Sequence, residues 1–488
     1  MRRTPRRRWR AVAAVVLAVA PTLGDASLFA ALAAKRQAVR VPATSAGLQT
    51  LEWALAQAYI NNPQLNAQRA QVRMTDENVP QALSGYRPRV TGTVSGGIQY
   101  QDTITRTSVP SGTVYSDLPG TFPPRTLGLT ATQTLFNGFQ NGNRTRQAES
   151  QVSAARETLR LVEEQVLFNA AQAYMNLLRD SAILDLQRSN VEVLTEQLRQ
   201  TRDRFNVGEV TKTDVAQAES RLAAGRAQLH QAESNYITSQ AAYRQAIGVE
   251  PGKLAPGTPV DRFSPNTLAA AVAVGRTENP AVTAAMLGVD TAALQVKINE
   301  GALYPVLTVN GNVTQQYDFS QIIKQQTSAA VVGQVTIPIY QGGSEYSLIR
   351  QSKEQLGQNR ISVDTQRDQV QANVVQAWGQ LEAAKAQIVA TQAQVNAAEI
   401  ALNGVREEAR VGQRTTLDVL NAQQELVNAR VALVTAQHDR VVASYSLLQA
   451  VGRLSAGVLN LRVPTYDPIV HYEQVRDSWF GVRNPDGR

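Results

Sequence analysis

The sequence contains itself twice. Leu51, Ala54, Ala56 and Asn62-Pro63 recur as Leu268, Ala271, Ala273 and Asn279-Pro280 at a constant offset of 217, which Pro88 and Pro305 keep. From Phe136-Asn137-Gly138 against Tyr340-Gln341-Gly342 the offset is 204, and it stays so through Gln172-Ala173-Tyr174 against Gln376-Ala377-Trp378 to Ile247-Gly248 against Val451-Gly452. The drop of 13 residues places one insertion in the first half, between Pro88 and Phe136. A register this long marks an internal duplication, so any fold must be built from two equivalent units.

Within each unit the hydrophobic period is first that of a helix. Residues 152, 159, 166, 173, 177, 184, 191 and 198 are Val, Leu, Val, Ala, Leu, Leu, Val and Leu, and their partners 356, 363, 370, 377, 381, 388, 395 and 402 are Leu, Val, Val, Ala, Leu, Ile, Val and Leu. Seven-residue spacing in two aligned copies predicts coiled-coil packing, with helices of about 60 residues, or roughly 90 Å. Each copy reverses at the same short turn. Val207-Gly208-Glu209-Val210-Thr211-Lys212-Thr213-Asp214-Val215 matches Val411-Gly412-Gln413-Arg414-Thr415-Thr416-Leu417-Asp418-Val419. Gly208 and Gly412 fall where a helix ends on a left-handed residue. Thr211 with Asp214, and Thr415 with Asp418, read as capping boxes opening the next helix. Each unit therefore holds a helical hairpin.

Ahead of these long helices, after the Asn-Pro element, the period is two. Val90, Gly92, Val94, Gly96, Ile98 and Tyr100 alternate with Thr91, Thr93, Ser95, Gly97, Gln99 and Gln101, and Leu127, Leu129, Ala131 and Leu135 alternate with Gly128, Thr130, Thr132 and Thr134. In the second unit the pattern is Leu307, Val309, Gly311, Val313 and then Val331, Gly333, Val335, Ile337, Ile339. Uncharged polar residues on one face and aliphatics on the other fit transmembrane barrel strands, and Tyr86, Tyr100, Phe136, Tyr304, Tyr317 and Tyr340 lie at strand ends, where an aromatic girdle belongs. A half-buried soluble hairpin is the alternative. Four strands cannot close a barrel, since the smallest have about eight, and open edges are not tolerated in lipid. Several chains must then share one barrel, and the pattern alone leaves two, three or four open.

Composition agrees with an exported helical protein. Aromatics are 6% and there is no cysteine, which leaves packing or oligomerisation to hold the chain and gives no site for a cysteine-linked lipid. Six arginines up to Arg10, the apolar run Ala11–Ala20 and Ala31-Leu32-Ala33 form a cleavable secretory signal. Arg2-Arg3 and Arg7-Arg8 also permit a twin-arginine signal. Residues 1–33 carry six Arg and Asp25, so their removal takes the formal charge from +8 to +3. No basic stripe is left for nucleic acid. His230, His438 and His471 lack metal spacing, and there is no nucleophile elbow or phosphate loop. Neither catalysis nor a cofactor is expected.

The expected boundaries are a signal peptide over 1–33 and a first repeat over 46–250, with strands near 89–101 and 126–136 and a helical hairpin at 140–248. A Pro-rich linker follows over 251–265. The second repeat covers 266–453, with strands near 306–316 and 329–340 and a hairpin at 344–452, before a tail over 454–488 that is irregular or lies against the body.

The signal, the duplicated Asn-Pro element, Leu135-Phe136-Asn137-Gly138 and above all Asn206–Val215 resemble the TolC family of outer membrane efflux and type I secretion proteins. The resemblance runs from about Leu48 to Leu454. It implies a mainly α fold with a small β part: a homotrimer whose twelve strands form one barrel in outer membrane lipid and whose helices continue it as a periplasmic tunnel. It also implies two partners, a periplasmic adaptor protein and an inner-membrane transporter, either ABC or proton-driven. Asp418 matches the family's outer acidic ring at the tunnel entrance, and Asn421 stands where well-known members have a second Asp. Arg414 matches a latch arginine whose partners correspond to Thr213 and Asp214, while Ala409 replaces a latch Tyr. An acidic ring favours cations. Helix capping by Asp214 and Asp418 is the plainer role for the same residues. A periplasmic coiled-coil adaptor with no channel of its own is the alternative function.

Overall fold

The computed structural model describes residues 47–320 and 323–485. The expected signal peptide lies outside the described residues. The body described here ends at Phe480.

It begins with strand β1 (Leu48–Gln49) and helices α1 (Leu51–Asn61), α2 (Pro63–Asp76) and α3 (Asn78–Leu83). Strands β2 (Arg89–Gly96), β3 (Gln99–Val109), β4 (Gly112–Phe122) and β5 (Arg125–Asn137) follow, then the hairpin α4 (Gln140–Asn206) and α5 (Lys212–Ile247). The short β6 (Lys253–Leu254) pairs with β1 and opens the second unit. That unit runs α6 (Leu268–Glu278), α7 (Pro280–Gly301), β7 (Val306–Tyr317), β8 (Gln325–Thr336), α8 (Ser344–Arg410) and α9 (Thr416–Val451), and helix α10 (Pro468–Val475) lies in the tail.

The outgoing helices α4 and α8 have 67 residues each, about 100 Å at 1.5 Å per residue. The expectation of 60-residue helices fails for the return limbs, since α5 and α9 stop after 36 residues. The sequence breaks them. Gly248 and Gly452 end them at φ +85° and +87°, the left-handed cap that glycine adopts without a Cβ clash. A second helix then starts at each stopping point. Asn62 caps α2 and Asn279 caps α7, each with Pro in the first helical turn. The side-chain amides of the same two asparagines donate to Ala246 O at 3.1 Å and Ala450 O at 3.0 Å. Each Asn thus satisfies amides at one helix start and a carbonyl at another helix end. The return limb is two helices laid head to tail, with favourable dipole order.

The strands pair antiparallel in the order β2-β5-β7-β8. Register sorts the two faces: Val90, Ala131, Gly311 and Val331 form one row, and Thr91, Thr130, Asn312 and Ala330 the next. The aliphatics are exposed, Val94 at 82% and Val331 at 80%. Both outer strands, β2 and β8, leave one edge without a ladder partner among the described residues. The strand expected near 89–101 is divided at Gly97-Ile98, and the inserted residues form a separate hairpin, β3 with β4. The strand expected near 329–340 is shifted toward its N-terminus: its ladder stops at Thr336, and Pro338 has no N–H to extend it.

The main core lies at mid-height of the helices. Leu55, Tyr59 and Leu65 pack there with Leu167, Tyr174, Tyr243, Tyr445 and the tail residue Leu454. The Tyr174 hydroxyl donates to Gln49 O at 2.8 Å and Ala255 O at 2.6 Å, tying β1 to the linker. Of the sixteen heptad positions all are buried except Val191, Leu356 and Ile388, which are half-buried. The tail is ordered against the body through α10, whose His471 meets buried Asp76 at 2.8 Å.

Candidate functional site at the hairpin tips

Both hairpins turn by the same two devices. Glu209 N donates to Arg204 O and Gly208 N to Phe205 O, both at 2.9 Å; Gln413 N donates to Glu408 O at 2.9 Å and Gly412 N to Ala409 O at 3.2 Å. These are paired 6→1 and 5→2 bonds closing a helix, and they need the left-handed residue that Gly208 and Gly412 supply at φ +80°. The capping boxes follow. Thr211 donates its N–H to Asp214 Oδ2 at 2.9 Å and its hydroxyl at 2.7 Å; Thr415 does the same to Asp418 Oδ2 at 3.0 and 2.8 Å. Hydrogen bonds to the ionised form hold both carboxyls below the ordinary Asp range. Asp214 and Asp418 therefore cap helices, and both stay charged at neutral pH.

The tips differ in charge. In the first, Arg204 on the helix reaches Glu209 in the turn at 2.6 Å. In the second, Glu408 on the helix receives Arg414 from the turn at 2.8 Å. Each tip thus bridges helix to turn, with the helix residue basic in the first and acidic in the second, although Arg414 aligns with Val210 and not with Glu209. Arg414 is thus bonded within its own hairpin, to Glu408 and not to Thr213 or Asp214. Thr213 lies in the first turn of α5 beside Asp214, on the neighbouring tip.

Arg221 and Leu420, which have no signature in the sequence, join the hairpins, and Arg221 does so through Asn421. Arg221 of α5 donates to Asn421 Oδ1 of α9 at 2.7 Å. One residue away, Leu420 is buried in the first hairpin's cluster of Leu194, Leu198, Ala218 and Leu222. The start of α9 is seated on the other hairpin, by one apolar plug and one polar clip.

At the far end of the helices, Phe136 meets Phe139 edge-on at 5.2 Å, and Phe139 meets Tyr304 at 6.5 Å. Tyr86 and Tyr340 stand exposed at the same base of the sheet, and Tyr317 closes the top of β7 beside the Arg125–Asp318 pair at 2.7 Å. Tyr100 belongs instead to the β3–β4 hairpin, opposite Thr121. The Leu135-Phe136-Asn137-Gly138 motif is the strand-to-helix corner. Asn137 Oδ1 accepts from Asn141 N at 3.3 Å, and Gly138, at φ +64°, passes so close to Gly301 that a Cβ would overlap its carbonyl.

A four-stranded sheet with an exposed apolar face, continued by duplicated long helical hairpins, defines a class of envelope-spanning channel subunits. A family model described as outer membrane efflux protein matches residues 54–249 and 275–453, and the chain belongs to that family. It is 44% identical over 441 residues to the outer membrane efflux protein BepC of Brucella suis, covering 90% of this chain and 93% of the relative. It is 25% identical over 423 residues to the outer membrane protein TolC of Escherichia coli, covering 82% and 81%. The alkaline protease secretion protein AprF of Pseudomonas aeruginosa is 24% identical over 340 residues, covering 68% and 69%. Among solved structures, the Campylobacter jejuni CmeC outer membrane channel superposes with a TM-score of 0.72 at 16% identity, covering 89% of this chain and 93% of that one. The protein is an outer membrane exit duct for efflux or type I secretion, and its fold is mainly α with a small β part.

Proposed function

We propose that three copies of this chain close one duct, with a twelve-stranded barrel in the outer membrane and a helical tunnel below it, gated at the hairpin tips. The observation that carries this is the pair of open edges on β2 and β8, which lipid does not tolerate. A second, independent one supports it. Ile361, Val375, Val389 and Ile400 form a single exposed stripe along α8, turned away from the face that packs on α9. It is the flank a neighbouring copy would cover. The family resemblance favours three copies over two.

In this reading Asp418 and Asn421 line the periplasmic constriction, and Arg414 is the latch residue. To engage Thr213 or Asp214 of the next tip, Arg414 must leave Glu408. Partners are a periplasmic adaptor seated on the tips and an inner-membrane ABC or proton-driven transporter. Passive conduction, with no chemistry of its own, is the role assigned to the chain. Relatives named for efflux and for protease secretion support both kinds of cargo.

The chain's lack of cysteine gives the test a clean background. One cysteine at Thr91 on β2 and one at each of Ala329, Ala330, Val331 and Val332 on β8 are oxidised in outer membrane vesicles. Crosslinks that build a ladder ending at trimer mass are the expected result. Monomer throughout, from protein that still inserts and conducts, would refute the shared barrel.

A further inference from the structure

The segment after α9 is a built strap. The Ala456 amide donates to Glu163 at 2.8 Å. Tyr466 N donates to the Tyr59 hydroxyl at 3.1 Å, and the Arg69 guanidinium lies 4.4 Å from the Tyr59 ring and 5.5 Å from that of Tyr466. Then come His471 on Asp76 and Arg156 over Tyr472 at 5.2 Å. The partners climb in order, 59, 69, 76, and end at Arg87, which donates to Ser478 O at 2.6 Å and sits 4.5 Å from the Trp479 ring. Arg87 is two residues before β2 begins at Arg89. The strap therefore runs from mid-height to the base of the sheet.

Which side of the helical wall it follows can be read from α4. Ala148 and Val152 face Val79 of α3, while Gln147 and Ser150 bond Gln295 and Leu287 O of α7. At about 100° per residue, these two flanks lie roughly 150° apart on one side of α4 and roughly 210° apart on the other. Glu149 and Arg156, which face the strap, fall in the wider arc. The wider arc is the convex side of a wall that curves shut, and here the inference rests on the proposed barrel.

At the end of the strap stand Trp479, 60% exposed, and Phe480, 88% exposed, with ring centroids 6.4 Å apart. A bare Trp-Phe pair in water has no stabilising reason. At the foot of a membrane-facing sheet, beside exposed Tyr86 and Tyr340 and the exposed cation Arg89, it has one: Trp partitions to the headgroup level, where its ring is apolar and its N–H is solvated. We propose that the C-terminal strap carries a lipid anchor, with Trp479 and Phe480 inserted in the periplasmic-side interface of the outer membrane and clamped there by Arg87.

The test uses the full chain in nanodiscs of phosphatidylethanolamine and phosphatidylglycerol, with acyl chains either native or brominated near the headgroup. Emission lost in Trp479→Phe assigns the Trp479 signal among the chain's four tryptophans. That signal should fall by about half in brominated discs, as expected for a headgroup-level indole, and Arg87→Ala should weaken the quenching. A Trp479 signal indifferent to bromine and quenched by aqueous iodide, in protein that has inserted, overturns the anchor alone. Protein that never enters the disc overturns the membrane-spanning sheet and the anchor together.

Discussion

Arg221 and Asn421 are 200 residues apart in sequence and 2.7 Å apart in space, and their bond joins the tips of the two hairpins. The neighbouring Leu420 is 2% exposed. Anything that swings the second hairpin outward must break the clip and draw the plug.

Removing the clip should therefore favour the open state. A typical net hydrogen bond contributes about 1 kcal/mol, or about a fivefold change in the open-to-closed ratio. Arg221→Ala and Asn421→Ala should each raise single-channel conductance or open probability in planar bilayers, and the double variant should add little. Leu420→Ala should open the channel further, because it removes buried apolar packing. Conductance unchanged in all three would mean that the tips are held elsewhere.

Asp418 caps a helix, and substitutions separate that role from the proposed one at the constriction. Thr415→Ala removes the hydroxyl half of the cap and leaves the charge, whereas Asp418→Asn removes the charge. Cation preference, read as reversal potential under a salt gradient, should fall in Asp418→Asn and persist in Thr415→Ala. Bonds from Thr415 depress the Asp418 pKa, so the preference in the native protein should survive through the ordinary Asp range and vanish only as pH falls through the depressed value. In Thr415→Ala the hydroxyl bond is lost and the backbone N–H bond stays, so the loss should begin at a higher pH than in the native protein but still below the ordinary Asp value of about 3.9.

Gly138 and Gly208 both have positive φ, but only one is crowded. A Cβ at Gly138 meets Tyr304 Cβ at 2.9 Å as well as the Gly301 backbone, whereas at Gly208 nothing lies within 4 Å. Gly138→Ala should block assembly in the membrane. Gly208→Ala should assemble, with the chain destabilised by about 1–2 kcal/mol for the left-handed backbone alone. Heat-modifiable migration on gels distinguishes the two outcomes.

Burial raises the Glu164 carboxyl to about 8, against a usual 4.5. A raised folded pKa gives stability that is complete below pH 4.5 and is lost as pH rises through about 8. Glu164→Gln keeps the neutral form at every pH. Its melting temperature should match that of the native protein near pH 4.5 and exceed it increasingly toward pH 8.5. A constant gap across that range would place Glu164 in water.

Periodicity carried most of the fold into view. Heptads and alternation are local patterns, and the burial of Val166, Leu177, Val370 and Leu381 repeats the spacing read from the chain. What escaped was set by breaks and by distance. Asn62-Pro63 and Gly248 were visible, but that one ends a helix where the other starts it depends on a contact 184 residues apart. The β3–β4 hairpin hid inside an alternation that continues through Gly96-Gly97. At the tips the caps were legible because each spans three residues, while the Arg221 clip has no local signature. The charge reversal from Arg204 to Glu408 was readable from the repeat offset, but the second bridge was not, since Glu209 maps to Gln413 while the bridge is made by Arg414.

The half-height break in each return limb has a mechanical consequence. Just below it, at the C-terminal end of α9, Tyr445 and Leu448 are locked into the main core with Tyr174 and Leu454. Farther down, α9 is held mainly by small clusters such as that of Leu426 and Ala429, and by the Leu420 seat. If the tips open as proposed, the lower limb would act as a lever with its fulcrum at the core, and a short push near mid-height would become a wide displacement at Asp418 while the strands stay still.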